Sequence, residues 1–396
     1  MSSLRCGFAT AKALRTRISG VRARCVPAIA CAASLLFTSA ASAQGDTVSL
    51  ALHEIHTDRG SQTDTLGPAE SRAVAKVARE ARVLKAILNA GLPEVDMRLG
   101  EMPAFMSLNP SMIARSGVLT HPYRLPGPGW KMIVQTSYAN IIEYDHAPDA
   151  RHLLDAEVAR AEVGLRKDIG RNVWVSGALG ASLATSGKLD GFLDWYHGLI
   201  GFPMHEREAR PVNQFADTLV VGGRQVRARS SGGASLSDVR VEGGYRWSPD
   251  LQTVVSVTLP TAPVSSLDHR GVVSVSLAQT LRGRFGDRVV MEFSGGGGYT
   301  PRTGPMSEMQ RRWNVGGSFG TRLRMTGGHS LYGIVFYHSA PYFGTGLATQ
   351  DSGELTTDFG YVFRSRSGRE LRLGLTEDIY RLDQGVDVGL RLSVVW

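Results

Sequence analysis

Between Gln310 and Met325 the chain reads QRRWNVGGSFGTRLRM. Trp313, Val315, Phe319, Leu323 and Met325 fall in one alternating row, Arg312, Asn314, Ser318, Arg322 and Arg324 in the other. A β-strand sends successive side chains to opposite faces, so this stretch makes a strand with one greasy and one wet face. Its register is fixed by charge. A slip of one residue would turn the arginines onto the apolar side, at about 2–4 kcal/mol each in mid-membrane. No apolar run after Phe37 approaches the roughly 20 residues of a membrane-spanning helix. A mature chain that crosses a bilayer must therefore do so as a closed barrel, since only helices and closed barrels pair every backbone group in lipid.

Period two recurs from Trp130 to the end. It defines segments near 130–140, 153–167, 173–183, 236–247, 251–260, 271–283, 288–296, 310–325, 329–338, 354–364, 370–380 and 386–396. Short turns at 168–172, 248–250, 285–287, 326–328 and 365–369 alternate with longer connections, the habit of bacterial barrels with short turns on the periplasmic side. The expected fold is all-β: a transmembrane antiparallel up-and-down barrel of about twelve strands, within a range of 10–14. A soluble sandwich or propeller is the alternative. Leu392, Val394 and Trp396 close the last strand flush on an aromatic, which resembles the assembly signal of outer-membrane barrels.

The front of the chain adds a compartment. Residues 1–43 carry six basic residues and no acid, then VPAIACAASLLF and a small-residue TSAASA, which is the pattern of a cleaved signal peptide. Its removal leaves +2 of the +8 formal charge and none of Cys6, Cys25 and Cys31. A nucleic-acid footprint, disulfides and thiol chemistry are then not expected. Residues 44–129 are expected to be a periplasmic segment with a short amphipathic helix near 68–90, where Val74, Val77, Ala81, Leu84 and Leu88 make a narrow stripe that docks near the barrel mouth, with a short coiled coil or a plug inside the lumen as the alternatives. Residues 130–396 form the barrel, with a large extracellular loop near 184–235. The expected location is the cell outer membrane, with its lipid, the barrel-assembly machinery and periplasmic chaperones as partners.

NPSMIARSG, SYANIIEY, LLDAEVARAEVGLRKDIG and GKLDGFLDWYHGLIGFP followed by Arg210 together resemble the bacterial domain-of-unknown-function family 3187 over about three quarters of the chain. The resemblance implies an outer-membrane-type barrel of unassigned activity. The sequence departs from the family pattern at Ala156, between Asp155 and Glu157.

The inward rows supply the first candidates for function: Asp238, Arg240, Glu242, Arg246, Arg312, Arg322, Arg324, Asp387 and Arg391, with Glu292, Asp358, Arg364 and Arg372. Both signs in so narrow a lumen predict either a salt-bridged, nearly closed interior or a slender polar pathway favouring anions. In the long loop Asp190, Asp194 and His197 would share one side of a helix, a weak acid–base or cation-binding set. Asp194 and His197 are the catalytic candidates of an embedded hydrolase, set against a loop cap over Phe192, Trp195 and Tyr196. No nucleophile elbow, zinc-protease motif or phosphate-binding loop is present, and neither metal nor cofactor is expected. The favoured function is a narrow channel or surface-binding protein for a small polar or anionic solute. The alternatives are a hydrolytic enzyme at the extracellular rim and a structural or assembly partner.

Overall fold

The computed structural model describes Arg79 and residues 100–105, 107–115, 121–200, 213–379 and 385–396, without the side chains of His197, Ile200, Gly385 and Asp387. The chain divides into Met1–Arg79 and Glu80–Trp396, and the barrel belongs to the second unit. The helix expected near 68–90 lies outside the described residues apart from Arg79, which is helical.

Twelve strands form the barrel wall: β1 (Trp130–Ala147), β2 (Ala150–Ile169), β3 (Val173–Thr185), β7 (Val239–Arg246), β8 (Leu251–Leu259), β9 (Ser274–Phe285), β10 (Val289–Tyr299), β11 (Trp313–Arg324), β12 (His329–His338), β13 (Glu354–Arg364), β14 (Glu370–Asp378) and β15 (Gly385–Val395). Each pairs antiparallel with its neighbour, and β1 pairs with β15 from Ile133↔Val395 to Ile142↔Gly385, so the sheet closes on itself. Met132 and Trp396 exchange both backbone hydrogen bonds at the end of that seam. No helix among the described residues is long and apolar enough to cross a membrane. The crossing is made by strands, as the alternation requires.

The two rows separate cleanly. Trp313, Val315, Phe319 and Leu323 of β11 are exposed on the outside, while Asn314 and Arg322 are buried inside. Leu165, Leu179, Leu277, Phe293, Leu373 and Leu390 continue the outer belt. Aromatic pairs mark its rims: Tyr245 with Trp247 (4.6 Å between centroids) at the short-turn end, Tyr299 with Trp313 (4.9 Å) at the other.

Two connections differ from the sequence reading. First, β1 and β2 do not stop at the membrane. They run on as a long hairpin joined by Pro148–Asp149, where a longer loop was expected. Beyond Asn140 both faces are covered, so Ile141 and Ile142 are buried side by side and the alternation vanishes from the sequence. Second, the 184–235 region is not a simple loop. It holds α2 (Asp190–Ile200) and β4 (Ala216–Val221), β5 (Arg224–Arg229) and β6 (Gly233–Leu236), which join the same sheet. Above the point where β3 ends, β4 takes its place beside β2, from Arg151↔Val220 to Asp155↔Ala216.

Candidate functional site

The described part of 100–126, the end of the stretch expected to be a periplasmic segment, lies inside the barrel against the inward rows. Its residues are rich in proline (Pro103, Pro110, Pro122, Pro126) and make no ladder of their own. Buried peptide groups still need partners, and the charged wall supplies them.

The segment enters at the short-turn end. Gly100 has a left-handed backbone (φ 69°), and a Cβ there would stand 2.6 Å from the Arg322 guanidinium, so a side chain would be strained and would push that ion pair aside. Arg282 donates to its carbonyl (2.8 Å) and to Glu292 (2.6 Å). Glu101 accepts two bonds from Arg166 (2.7 and 3.0 Å) and one from the Leu125 amide (3.0 Å), with Arg124 and Lys131 at 3.4 and 3.5 Å. Burial alone would raise the Glu101 pKa. Arg166 above all, then Lys131 and Arg124, hold it well below the usual carboxylate value. Arg322 donates to the Glu101 carbonyl (2.6 Å) and pairs with Glu370, which also holds Arg372.

The chain then climbs along β11–β15 and β1. Met102 and Phe105 pack on Tyr332, Ile334, Phe336 and Val362. Arg391 stacks over Phe105 (5.1 Å), donates to the Ala104 carbonyl (2.7 Å) and pairs with Asp358 (2.9 Å). Leu108 sits in a cluster with Ile141, Leu154 and Ala156, so the departure at Ala156 faces this segment. Arg160 donates to its carbonyl (3.0 Å), and Ser107 to Glu354 (2.8 Å). At the top, Asn109 caps the short helix α1 (Pro110–Ile113), accepting from the Ser111 amide (2.9 Å). Both Asn109 and Ser111 donate to the Glu143 carboxylate of β1 at 2.8 Å. Arg270, in the β8–β9 loop, donates to the Ile113 carbonyl (2.6 Å).

The return limb descends along β7–β10. Gln252 bonds both the Pro122 carbonyl (2.7 Å) and the Arg124 amide (3.0 Å), and the Tyr123 amide donates to Glu292 (3.0 Å). Arg246 donates to the Arg124 carbonyl (2.5 Å) and pairs with Asp168. Burial holds the His121 pKa down to about 4, although Glu242 lies 3.8 Å away. The chain leaves at Gly127–Gly129 beside the point of entry and starts β1. It is a hairpin plug.

Of the inward residues read from the sequence, Arg240, Glu242, Arg246, Arg322 and Arg391 line the lumen, in ion pairs. Asp238 lies just before β7, its carboxylate accepting from the Ala262 amide (2.8 Å) 3.9 Å from Arg270. Arg312 is a correction. It is exposed and precedes β11, because the strand begins at Trp313 and the alternation was extended too far. Arg324 is half-buried at the short-turn rim. The Asp387 side chain lies outside the described residues. Asp190, Asp194 and His197 do fall on one helix. Asp190 is spent on structure, accepting from Asn140 (3.1 Å) and the Asn213 amide (2.6 Å). Asp194 is exposed, and the His197 side chain is not described.

Two spaces remain. One of about 80 Å³ lies between plug and wall, lined by Gln135, Ser137, Arg160, Glu162, Arg240 and Thr258, among others. The other, about 310 Å³, is a vestibule at the long-loop end, lined by Arg115, Arg227, Arg229, His269, Arg270 and Gln350, with no carboxylate among the described residues of its lining.

The motifs that carried the family resemblance meet at the top of β1 and β2. Asn109 and Ser111 bind Glu143 on the inner face, and Asn140 and Glu157 bind the start of the 187–200 motif on the outer. A family model described as a protein of unknown function (DUF3187) matches residues 84–396. The chain belongs to this family. Several solved structures are similar to this DUF3187 protein. They include the COG4313 outer membrane channel from Pseudomonas putida (12% identity over 69% of this chain and 96% of that one, TM-score 0.46). The Pseudomonas putida toluene transporter TodX (10%, 75% and 98%, 0.37) and the KdgM porin (6%, 67% and 98%, 0.34) are others. No curated protein matches this DUF3187 chain.

Proposed function

We propose that the protein is a plugged channel of the bacterial outer membrane for a small polar or anionic solute. The observation that carries this reading is the hairpin itself. It occupies the lumen, yet its limbs are held by side-chain hydrogen bonds and ion pairs, which can be exchanged for water or solute without opening the wall. The vestibule above it is the size of a small-ligand pocket, and among the described residues its lining holds arginines and no acid. Asp217, behind them, offsets part of that charge through Arg227 (2.5 Å). The outer belt and closed seam support a lipid location, and the export pattern of residues 1–43 supports the outer membrane as that location. The long-loop end is then extracellular.

Conductance of refolded protein in planar bilayers tests the proposal. The wild type is expected to stay mostly shut. Replacing residues 101–125 with a flexible Gly-Ser linker of equal length should give openings, with a reversal potential favouring anions. The absence of current from a linker variant that still folds would remove the channel reading. Binding of phosphate to the wild type, lost in Arg115→Ala, would then leave a surface-binding protein.

A further inference from the structure

The plug does not use α2, and its outer side is unusual. Phe192, Trp195 and Leu199 are 54%, 61% and 69% exposed and share one face, with Phe192 against Trp195 (5.7 Å) and stacked near Tyr196 (6.4 Å). At about 100° per residue, Asp194 points well away from that face, and so does the wholly buried Leu193. Leu193 and Asp190 are the side turned to the protein.

The helix is fixed to the outside of the wall at a definite height. The Glu157 carboxylate, on the outer row of β2, accepts from the Lys188 (2.7 Å) and Leu189 (2.5 Å) amides. Asn140, its β1 partner, holds Asp190 (3.1 Å). Gly187 allows this approach: its φ is 67°, and a Cβ would run into the Glu157 carboxyl group. Down the same two strands, Trp130 pairs with Lys167, whose ammonium lies over the indole at 5.1 Å, at the short-turn rim. Asn140 lies ten residue steps along the strand from Trp130. At about 3.3 Å per residue and a tilt of about 40°, the rise is roughly 25 Å, the height of the apolar band of such barrels. The α2 anchor therefore stands at the opposite membrane boundary, and Leu165, Val163, Leu179 and Leu183 lead up to it as exposed lipid-facing residues.

We infer that α2 is a lipid-binding helix, its Phe192–Trp195–Leu199 face seated in the headgroup–acyl boundary of the leaflet at the long-loop end. An aromatic, amphipathic helix at that depth is what an interfacial segment requires, and its face continues the lipid belt of the barrel.

Tryptophan fluorescence of the full chain, refolded into phosphatidylcholine vesicles, tests this. The Trp195→Leu variant keeps an apolar side chain, and its folding is checked by the mobility of unheated samples on gels. The wild-type spectrum minus that of the variant isolates Trp195. The expected difference signal is blue-shifted, weakly reached by aqueous acrylamide, and quenched about twofold or more by lipid brominated near the headgroup end of the chains but less by lipid brominated near the tail. A red, acrylamide-quenched signal would overturn the inference. A signal shielded from both quenchers would also overturn it, and light scattering would then separate a second copy of the chain from cover by residues 201–212.

Discussion

Glu101 has five donor atoms within 3.5 Å, from the return limb of the plug and from the wall. Glu101→Gln would leave Arg166, Arg124 and Lys131 buried against a neutral amide. The expected loss is about 3–5 kcal/mol, read from urea midpoints of the refolded protein. Because the Glu101 pKa is depressed, its contribution is full at neutral pH and is lost only as pH falls below the ordinary carboxylate range. His121 acts earlier. It stays neutral in the fold down to about pH 4, whereas an unfolded histidine takes up its proton near 6.5. Stability should thus fall as pH drops from about 6.5 to about 4, by up to roughly 3 kcal/mol from this residue. His121→Asn should flatten that slope in the same unfolding measurement. At this scale the sequence was readable where charge sat on an alternating strand, as at Arg322 or Arg391. Glu101 and Arg166 carry no such signal. Arg166 does lie on the β2 segment drawn from the sequence, but its role depends on a partner that no periodicity reveals. The one available signal was the apolar content of MPAFMSL, too greasy for a segment left in water.

Among the elements, β11 carries the plainest prediction. Phe319 is mid-strand on the outer row, paired with Phe293 and Val335. Phe319→Arg should cost about 2–4 kcal/mol in lipid, measured by reversible unfolding in vesicles. All twelve wall strands were visible because lipid outside and ion pairs inside impose opposite chemistry on alternate residues. The top of β1–β2 was invisible for the converse reason. There α1 and Leu108 cover one face, and α2 with its anchor covers the other, so no polar row survives. The plug was hidden by its conformation: an extended, proline-broken chain has neither a helical nor a strand period.

For the whole molecule, the β1–β15 seam turns a sheet of hairpins into one cooperative unit. Leu392 faces lipid but pairs through its backbone with Thr136 and Leu373. Leu392→Pro removes an amide from that ladder where no water can replace it. Unheated samples of this variant should lose the compact gel band, whereas Val264→Pro, in an exposed loop, should keep it. The seam also frames what the hairpin can do. Among the described residues, one limb of the plug rises from beside Arg322 and the other comes back down to Gly127–Gly129. A cord doubled back through a sleeve comes free from the side it went in, with no knot to undo and no end to thread. A pull on the chain ahead of Gly100 would therefore unzip the rising limb from its base upward, and slackening it would let the same contacts re-form in reverse order.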